Sequence, residues 1–502
     1  MTNTSEQHSG ASKVRSAVAG SLLLNVLTNV FLYIGQLLIA RRLTREEYAI
    51  FTVAVSFVSL FALLADLGLT LLFVRKFAEA EEHARLGNED KRGELLGSIV
   101  LFRMILAAVV AVLIYFIAPL FGYAGETLRV MYLMLPILFI SSRLLVVRSV
   151  AEAFLRGHNK FQSVIFYTLV DAIVFAGVLY FYNNGQLDLD GAVLIYSLCH
   201  IPGFLLLIGS VVTLLRAYKV RLQYKLSIIK EIIKEGLPLI GSTAFLTIYN
   251  SADALLLDKM STPQEVSAFA AGLRILTAII FFPMVFSAIL SPRVTQATVR
   301  NDHTRVRFLV GESLRVILIT ASVIGLIFTC APTMAVRVLF GSDKYLDAAP
   351  IVTMFGWAFV PMSFGTFLSE TAIAEGKHWL SMMYMGSLMV FAVGIEYFLI
   401  PSMGAMGAAT AKAIALAIGA ILLFVFAKRM DVFDEKQFLR FVIKTVFCLL
   451  VSVAGYFALS SYHGPEIITA IVVLVLFTVS LLLTKTFTIA ELQTFIASSR
   501  GK

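Results

Sequence analysis

Apolar runs of about 20 residues recur along the whole chain, separated by short polar stretches. As a helix, a run of this length covers a bilayer core of about 30 Å. Helices are expected rather than strands, because lipid-exposed backbone must satisfy its own hydrogen bonds. The pattern predicts about fourteen spans, at roughly 17–40, 48–72, 95–118, 129–148, 161–182, 191–215, 236–258, 265–290, 309–331, 348–372, 379–400, 404–427, 438–460 and 466–484.

Composition agrees with a membrane protein rather than a soluble fold. Of the 502 residues, 59% are hydrophobic and 15% are charged, whereas a soluble domain carries about 25% charged residues. The run from Ala17 to Ala40 is longer than the apolar part of a signal peptide, so it is predicted to be the first span. Cys199, Cys330 and Cys448 lie in apolar runs and are predicted to be buried thiols. The sequence predicts an all-α polytopic membrane protein.

The formal charge of +9 is interpreted as a signal of membrane topology, because Lys and Arg are unevenly distributed between the loops of the two sides. With the N-terminus in the cytoplasm, the loops and helix ends on the cytoplasmic side carry most of these residues, which is the usual bias of membrane proteins. This interpretation is favoured over nucleic-acid binding and places both termini in the cytoplasm. A cluster on the opposite side, Arg41, Arg42 and Arg45, runs against the bias.

A stretch near the N-terminus recurs in the middle of the chain. Three residues repeat at one constant offset, with Thr44, Glu47 and Phe51 matching Thr262, Glu265 and Phe269. Such repetition indicates a duplicated unit, and an even number of spans per unit makes the halves parallel repeats. The predicted organisation is a tail at 1–16, an N-terminal lobe at 17–235, a C-terminal lobe at 236–430, and a last span pair with a tail at 431–502.

Polar stripes run along the first span and its counterpart in the second half. The first carries Ser21, Asn25, Asn29 and Gln36 within a narrow arc, and the seventh carries Thr243, Thr247, Asn250 and Ser251, with Asp253 at its margin. Two corresponding helices with such stripes predict the walls of a hydrated cavity. The alternative is hydrogen bonding between packed helices, which is common in membranes.

Ionisable residues also fall within the predicted spans. They are Asp66, Arg103, Arg143, Asp171, Asp253, Arg274, Arg315, Glu396 and Lys412. Charges in lipid are costly, so these side chains should face the protein interior or water. Asp66, Arg315 and Glu396 lie near span ends, where extension to the interface is predicted. Asp171 and Arg274 are deepest, which favours a cavity or an ion pair.

The chain carries no sequence motif for chemistry. It contains no metal-ligand spacing, no nucleotide-binding loop and no nucleophile motif, so ATP is not expected to drive it directly and no cofactor is predicted. A transporter is therefore expected rather than an enzyme. A membrane-embedded glycosyltransferase, polymerase or ligase is disfavoured. Such enzymes need a sizeable outer catalytic loop, and the predicted outer loops of this chain are too short.

Several short motifs, in their order, resemble a known family. The chain resembles the polysaccharide transporter family of bacterial oligosaccharide flippases, within the multidrug/oligosaccharidyl-lipid/polysaccharide exporter superfamily. The matching segments are Leu43 to Tyr48, Asp66 to Leu69, Gly236 to Leu239, Asp253 to Leu257, Glu265 to Arg274, Leu339 to Gly341 and Gly404 to Ala409. Together they span most of the chain.

The resemblance implies two parallel six-helix lobes in a V plus two C-terminal helices. It implies a flippase that moves undecaprenyl-pyrophosphate-linked oligosaccharide repeat units across the bacterial inner membrane by alternating access. Membrane lipids, coupling ions, polysaccharide polymerase and chain-length proteins are the expected partners, and nucleic acid is not. The substrate-binding candidates are Asn25, Asn29, Gln36, Arg103, Arg143, Asp171, Asn250, Asp253 and Arg274.

The first span distinguishes this chain from two related groups of transporters. Lipid II flippases carry charged residues in the first span, where this chain has Asn25 and Asn29, which argues against lipid II. A cation-coupled drug exporter of the same superfamily is the alternative, but its usual first-span carboxylate site is absent. Arg274 is expected to bind the pyrophosphate, because a guanidinium is a forked donor suited to phosphate. The competing account pairs it with Asp253 or Asp171.

Overall fold

The computed structural model describes residues 3–66, 69–87, 90–141, 144, 146–182, 187–236, 240–429, 432–460 and 465–486. These residues form helices and no strand. The helices are α1 Asn3–Arg42, α2 Arg45–Asp66, α3 Thr70–Arg85, α4 Arg92–Leu120, α5 Gly125–Leu133, α6 Ile137–Ile140, α7 Arg148–Gly157, α8 Phe161–Phe181, α9 Leu189–Leu198, α10 Ile201–Ala217, α11 Leu226–Gly236, α12 Ile240–Met260, α13 Pro263–Val299, α14 His303–Cys330, α15 Pro332–Phe340, a 3₁₀ helix Asp343–Ala348, α16 Ala349–Ala374, α17 His378–Arg429, α18 Glu435–Ser460 and α19 Glu466–Leu483.

The prediction of an all-α polytopic membrane protein is confirmed. Within the described residues, 10 helical segments are long and apolar enough to cross a bilayer. One of them, α17, contains two of the predicted spans, 379–400 and 404–427. The count of about fourteen spans stays a prediction.

The chain divides into two compact units, and the first covers Met1–Ser251. Its helix α1 packs against α8, and α3 packs against α7. The contact between α1 and α8 is close, because a Cβ at Gly35 would lie 2.2 Å from the Phe175 ring. Phe77 and Phe154 meet edge to face at a centroid distance of 5.3 Å within the core of α3 and α7. Helices α7 and α8 also hold buried charges, which are described below.

Three predicted spans of the first unit consist of more than one helix. Span 48–72 breaks between α2 and α3, span 129–148 is divided among α5, α6 and the start of α7, and span 191–215 is divided between α9 and α10. Two of the breaks lie at proline, since Pro136 precedes α6 and Pro202 stands in the first turn of α10. Proline lacks a backbone donor and starts a helix more readily than it continues one.

The second unit covers Ala252–Lys502. Its central helix α16 packs against α13, α14 and α17. Helices α18 and α19 pack on α14 through a core that includes Leu326, Cys448 and Phe477. All three cysteines of the chain are buried and free, as predicted.

The repeated Thr and Glu residues start a helix in each unit. The Thr44 hydroxyl accepts a hydrogen bond from Glu47 N at 3.2 Å, and Glu47 Oε2 accepts from Thr44 N at 2.8 Å, which forms a capping box. In the second unit, the Thr262 hydroxyl accepts from Glu265 N at 3.4 Å. Both threonines therefore act as N-caps, and the repeat in the sequence has a local structural cause.

Helix α17 reverses direction at Gly404. This glycine has φ 53° and ψ −132°, a conformation that residues with a Cβ rarely adopt. A Cβ at Gly407 would lie 2.5 Å from the Leu399 carbonyl oxygen, whereas eight residues of straight helix span about 12 Å. The Glu265 carboxylate accepts a hydrogen bond from Ala405 N at 2.7 Å and so holds the turn.

We expect Gly404→Ala to destabilise the second unit by about 1–3 kcal/mol. The added methyl would be strained at positive φ and would lie 2.6 Å from Glu265 Oε2. Gly394→Ala is the matched control, since a Cβ there meets nothing within 4 Å and alanine is the better helix former. Thermal unfolding of the purified protein in detergent measures both, and equal unfolding temperatures would contradict the turn geometry.

Candidate functional site

The polar stripe of α1 is exposed and bonded to its own helix. Asn25 donates to the Ser21 carbonyl at 3.1 Å, and Asn29 donates to the Asn25 carbonyl at 2.8 Å. Both side chains are exposed, and Gln36 is half-buried. In a spanning helix, such amides face lipid or a hydrated path, and their polarity favours the hydrated path.

The corresponding stripe on α12 has a similar character. Thr247 donates to the Thr243 carbonyl at 2.9 Å, and Asn250 is exposed. The hydroxyl therefore bonds within its own helix, while the amide remains accessible. These features leave α12 able to line a polar path.

Arg103 is buried at the break between α2 and α3. It donates to the Ala65 carbonyl at the end of α2, and its guanidinium lies 4.9 Å from the centroid of the Phe73 ring in α3. A cation suits the carbonyl end of a helix, and the aromatic face adds a favourable contact. Arg103 therefore stabilises this break. Another candidate, Arg143, lies outside the described residues.

Asp171 belongs to a buried ionic network in the first unit. Arg148 Nη1 lies 2.5 Å from Asp171 Oδ2, and Arg148 Nε lies 3.0 Å from Glu152 Oε1. Asp171 Oδ1 also accepts from Gly203 N at 2.7 Å. The network therefore ties α7, α8 and α10 together, and Asp171 has the ion-pair role rather than an open cavity position.

Arg148 is a buried cation that does not belong to the candidate residues predicted from the sequence. Its side chain is fully buried. The helix break places it at the first position of α7, where it faces Asp171 of α8. Arg156 pairs with Glu152 at 3.2 Å, so two cations meet two carboxylates. His200 adds a ring nitrogen 3.7 Å from Asp171 Oδ2.

The second unit holds a separate buried group of charges. Lys412 Nζ lies 2.5 Å from Asp253 Oδ2, and both side chains are almost completely buried. Glu396 is fully buried and lies beside the same aspartate. The prediction that Glu396 extends to the membrane interface is therefore wrong, because tertiary packing encloses it.

The reversal at Gly404 explains how these charges meet. Glu396 lies eight residues before the glycine and Lys412 eight residues after it, so the two arms of the hairpin place them at the same height. Asp253 approaches from α12, seven residues before the helix ends at Met260. At 1.5 Å per residue, the cluster lies roughly 10–12 Å from these helix ends, inside the apolar core.

Arg274 is half-buried on α13, about eleven residues from the helix start. The carboxylates named as its competing partners have other cations beside them, Lys412 for Asp253 and Arg148 for Asp171. The pyrophosphate role of Arg274 therefore stays a prediction.

A cavity of about 850 Å³ lies where α14 begins, α17 ends and α18 begins. Arg315 lines it and pairs with Glu312 at 2.7 Å, while Lys428 pairs with Glu435 at 2.7 Å. Arg307 and Lys436 add positive charge, and Asp434 adds negative charge. Opposite charges nearly balance, which makes this a polar pocket rather than a strong anion site.

Charges outside the predicted spans are also paired in the first unit. Arg92 lies 2.8 Å from Asp90 Oδ2 and 2.8 Å from Glu81 Oε2. Its hydrogen bond lowers the pKa of Asp90 below its usual value. A lowered carboxyl pKa stabilises the fold above the unfolded pKa, and this contribution is lost as pH falls through the folded pKa.

Comparison with known proteins shows the family. The family model described as polysaccharide biosynthesis protein matches residues 16–298, more than half of the chain. The chain belongs to this family. A second family model, MatE, matches residues 238–398. The resemblance found in the short motifs is thereby confirmed.

Individual relatives agree with the family. The chain is 20% identical over 400 residues to the probable low-salt glycan biosynthesis flippase Agl15 of Haloferax volcanii, covering 78% of each protein. The lipid II flippase MurJ, inward closed, has a TM-score of 0.72 at 14% identity, covering 92% of this chain and 97% of MurJ. An inward-facing MATE multidrug resistance transporter of the MOP superfamily has a TM-score of 0.66 at 16% identity, covering 82% and 98%.

These relatives are flippases and transporters rather than enzymes. The structural likeness shows the shared fold, and the family match adds the polysaccharide connection. The chain is therefore a membrane transporter of the flippase type in the MOP superfamily, as the sequence predicts.

Proposed function

We propose that the protein translocates undecaprenyl-pyrophosphate-linked oligosaccharide repeat units across the bacterial cytoplasmic membrane by alternating access, for surface polysaccharide biosynthesis. The observation that carries this proposal is the polysaccharide family match over residues 16–298. The glycan flippase Agl15, similar over 78% of the chain, supports the same class of substrate.

The physical demands of this substrate agree with features of the spanning helices. A glycan headgroup cannot enter hydrocarbon without losing its hydrogen bonds, so it needs a polar path. Exposed amides at Asn25, Asn29 and Asn250 are suited to sugar hydroxyls. We assign the pyrophosphate contact to Arg274, which is half-buried on α13.

The location, the topology, the partners and the lobe limits of the protein belong to the same proposal. The protein resides in the inner membrane with both termini in the cytoplasm, as the Lys and Arg bias favours. It takes lipid-linked glycan from the enzymes that build it, with polymerase and chain-length proteins as partners on the far side. The lobe limits 17–235 and 236–430, with the span pair in 431–502, are part of the same proposal.

A cation-coupled drug exporter is the second candidate. The MatE family match over residues 238–398 favours it. The match covers a smaller part of the chain than the polysaccharide family match, and no carboxylate stands in the first predicted span, 17–40. The glycan flippase is therefore preferred.

Deletion of the gene should abolish a cell-surface polysaccharide and leave lipid-linked repeat units in the inner leaflet of the membrane. A plasmid copy of the wild-type gene should restore export, and Arg274→Lys should restore part of it as a point charge. Surface glycan staining and extraction of lipid-linked intermediates measure the two effects. Normal polysaccharide together with hypersensitivity to drugs would instead identify an exporter.

A further inference from the structure

One wall of the cavity where α14 begins is a single face of that helix. Its lining residues recur at spacings of three and four positions from Thr304 to Arg315, and residues at these spacings are neighbours on the helix surface. This stretch of helix extends about 16 Å. The cavity volume of about 850 Å³ lies within the range of roughly 300–1,000 Å³ that is usual for small-molecule pockets. The cavity can therefore hold a molecule with several functional groups.

Two ion pairs, described above, use four of the charged side chains that line this cavity. The other charged residues of the described lining are Arg307, Asp434 and Lys436, and all three are exposed. Asp434 and Lys436 form no ion pair with another described residue, and they lie together where α18 begins. A carboxylate and an ammonium thus remain available to a ligand.

These groups match a ligand that carries both a phosphate and a primary ammonium. A phosphodiester accepts hydrogen bonds from the Lys436 ammonium and the Arg307 guanidinium. Asp434 Oδ1 accepts from Gln437 N at 3.0 Å and so caps α18. The second oxygen of this carboxylate can accept from a ligand ammonium, which has three N–H donors. A zwitterion therefore satisfies the site with no excess of either charge.

Other phospholipid headgroups match the cavity less well. An anionic glycerol phosphate has no cation for Asp434 and brings a second negative charge close to it. A quaternary ammonium has no N–H to donate and binds best to open aromatic faces. Phe433 and Phe438 are buried and pack against each other with ring centroids 5.5 Å apart, so they do not form an open cage. The ammonium and phosphate of phosphatidylethanolamine fit best.

An apolar face of α18 continues from the cavity and favours a lipid over a soluble zwitterion. Four exposed side chains form this face, and they are Leu439, Ile443, Phe447 and Leu450. Their spacing places them on one side of the helix, and the first of them directly follows the cavity residue Phe438. A lipid with its headgroup in the cavity can lay its acyl chains along this face, whereas a soluble zwitterion gains nothing from it.

We propose that this cavity binds the headgroup of one phosphatidylethanolamine molecule, with the phosphate at Lys436 and Arg307 and the ammonium at Asp434. The acyl chains lie along the exposed face of α18. The bound lipid thereby bridges the start of α14 and the start of α18, and it fastens the last two helices to the rest of the second unit. None of these residues is a candidate substrate contact, so the site does not depend on the proposed function.

Gly311 offers a way to fill the cavity without changing a charge. It lines the cavity, and a Cβ there would lie 3.9 Å from Phe433 Cβ, which is an ordinary contact. Gly311→Leu should therefore fold and should weaken the binding of phosphatidylethanolamine by about tenfold or more, because its side chain takes the space of the headgroup. Gly394→Leu is the matched control, since it makes the same change at an exposed position of α17 where a Cβ meets nothing within 4 Å.

Native mass spectrometry of the purified full-length proteins, released from dodecyl maltoside micelles, counts the bound lipids. Each protein is titrated with dioctanoyl phosphatidylethanolamine and with the matching phosphatidylglycerol and phosphatidylcholine. The wild type and Gly394→Leu should bind one phosphatidylethanolamine about tenfold more tightly than either of the other lipids, a difference that Gly311→Leu should lose. Size-exclusion chromatography confirms that each variant is folded.

Two charge variants test the headgroup contacts separately. Asp434→Asn keeps the cap of α18, because asparagine caps helices as well as aspartate does, but it should remove the preference for phosphatidylethanolamine over phosphatidylglycerol. Lys436→Gln should weaken the binding of both lipids, because both carry the phosphate. Lys436 is exposed, so this variant decides the proposal even if Gly311→Leu does not fold.

Three results would overturn the proposed site. The wild type could bind the three lipids equally, which would indicate only the ordinary lipid layer around a membrane protein. Phosphatidylethanolamine could bind Lys436→Gln and a folded Gly311→Leu as tightly as the wild type. Glycerophosphoethanolamine, which has the headgroup and no acyl chains, could displace the lipid at equal concentration, and the site would then belong to a soluble zwitterion.

Discussion

Arg148→Met should lower the free energy of unfolding of the first unit by about 3–5 kcal/mol, the usual effect of removing one partner from a buried ion pair. Arg148 contacts both Asp171 at 2.5 Å and Glu152 at 3.0 Å, and its side chain is fully buried. Its loss leaves two buried carboxylates with Arg156 as their remaining arginine. Thermal unfolding in detergent and the amount of folded protein in membranes measure the effect.

Arg156→Met is the control for this variant. It also removes an arginine that contacts Glu152, but its side chain is 35% exposed, so a loss below about 1 kcal/mol is expected. Adding Asp171→Asn to Arg148→Met should recover part of the stability, because one stranded charge is removed. Similar losses from Arg148→Met and Arg156→Met would show that the buried network does not hold α7, α8 and α10 together.

Lys412→Met should destabilise the second unit by a comparable amount, about 3–5 kcal/mol. The change removes the cation 2.5 Å from Asp253 and leaves two buried carboxyls facing each other. They must then take up a further proton or admit water. Unfolding temperature in detergent, measured across a range of pH, tests this result, and the loss should shrink as pH falls and the carboxyls protonate.

Lys428→Met provides the comparison for Lys412→Met. Lys428 pairs with Glu435 at 2.7 Å, but both side chains are about half exposed, so its removal should change stability by less than about 1 kcal/mol. Asp253→Asn combined with Lys412→Met should be more stable than Lys412→Met alone. A pH-independent loss in Lys412→Met would argue that the lysine acts through packing rather than charge.

The helical fold could be predicted from the sequence because run length and hydrophobicity are local properties. The helix breaks inside the spans were harder to predict, because Pro136 and Pro202 are compatible either with a kink in one helix or with the start of a second helix. No proline stands between α2 and α3. Arg103, which donates to the Ala65 carbonyl from another helix, is a tertiary contact that the sequence does not show.

For the charged sites, the sequence identified individual residues but not the partners with which they pair. Asp171 and Asp253 were identified as candidates because each carries a charge within an apolar run. Their partners were not predicted, because Arg148 and Asp171 are 23 positions apart and Lys412 and Asp253 are 159 apart. Such pairings depend on how helices pack. Glu396 was misplaced for the same reason, since the hairpin at Gly404 brings it inward.

Glu265 has a consequence for the order of assembly. Its counterpart Glu47 closes the start of its own helix, whereas Glu265 accepts a hydrogen bond from Ala405, 140 positions later. The residue at the helix start is thus a local cap in the first unit and a long-range anchor in the second. During synthesis from the N-terminus, α13 is made before α17. The carboxylate that holds the later hairpin is therefore already in the membrane when that hairpin emerges from the ribosome.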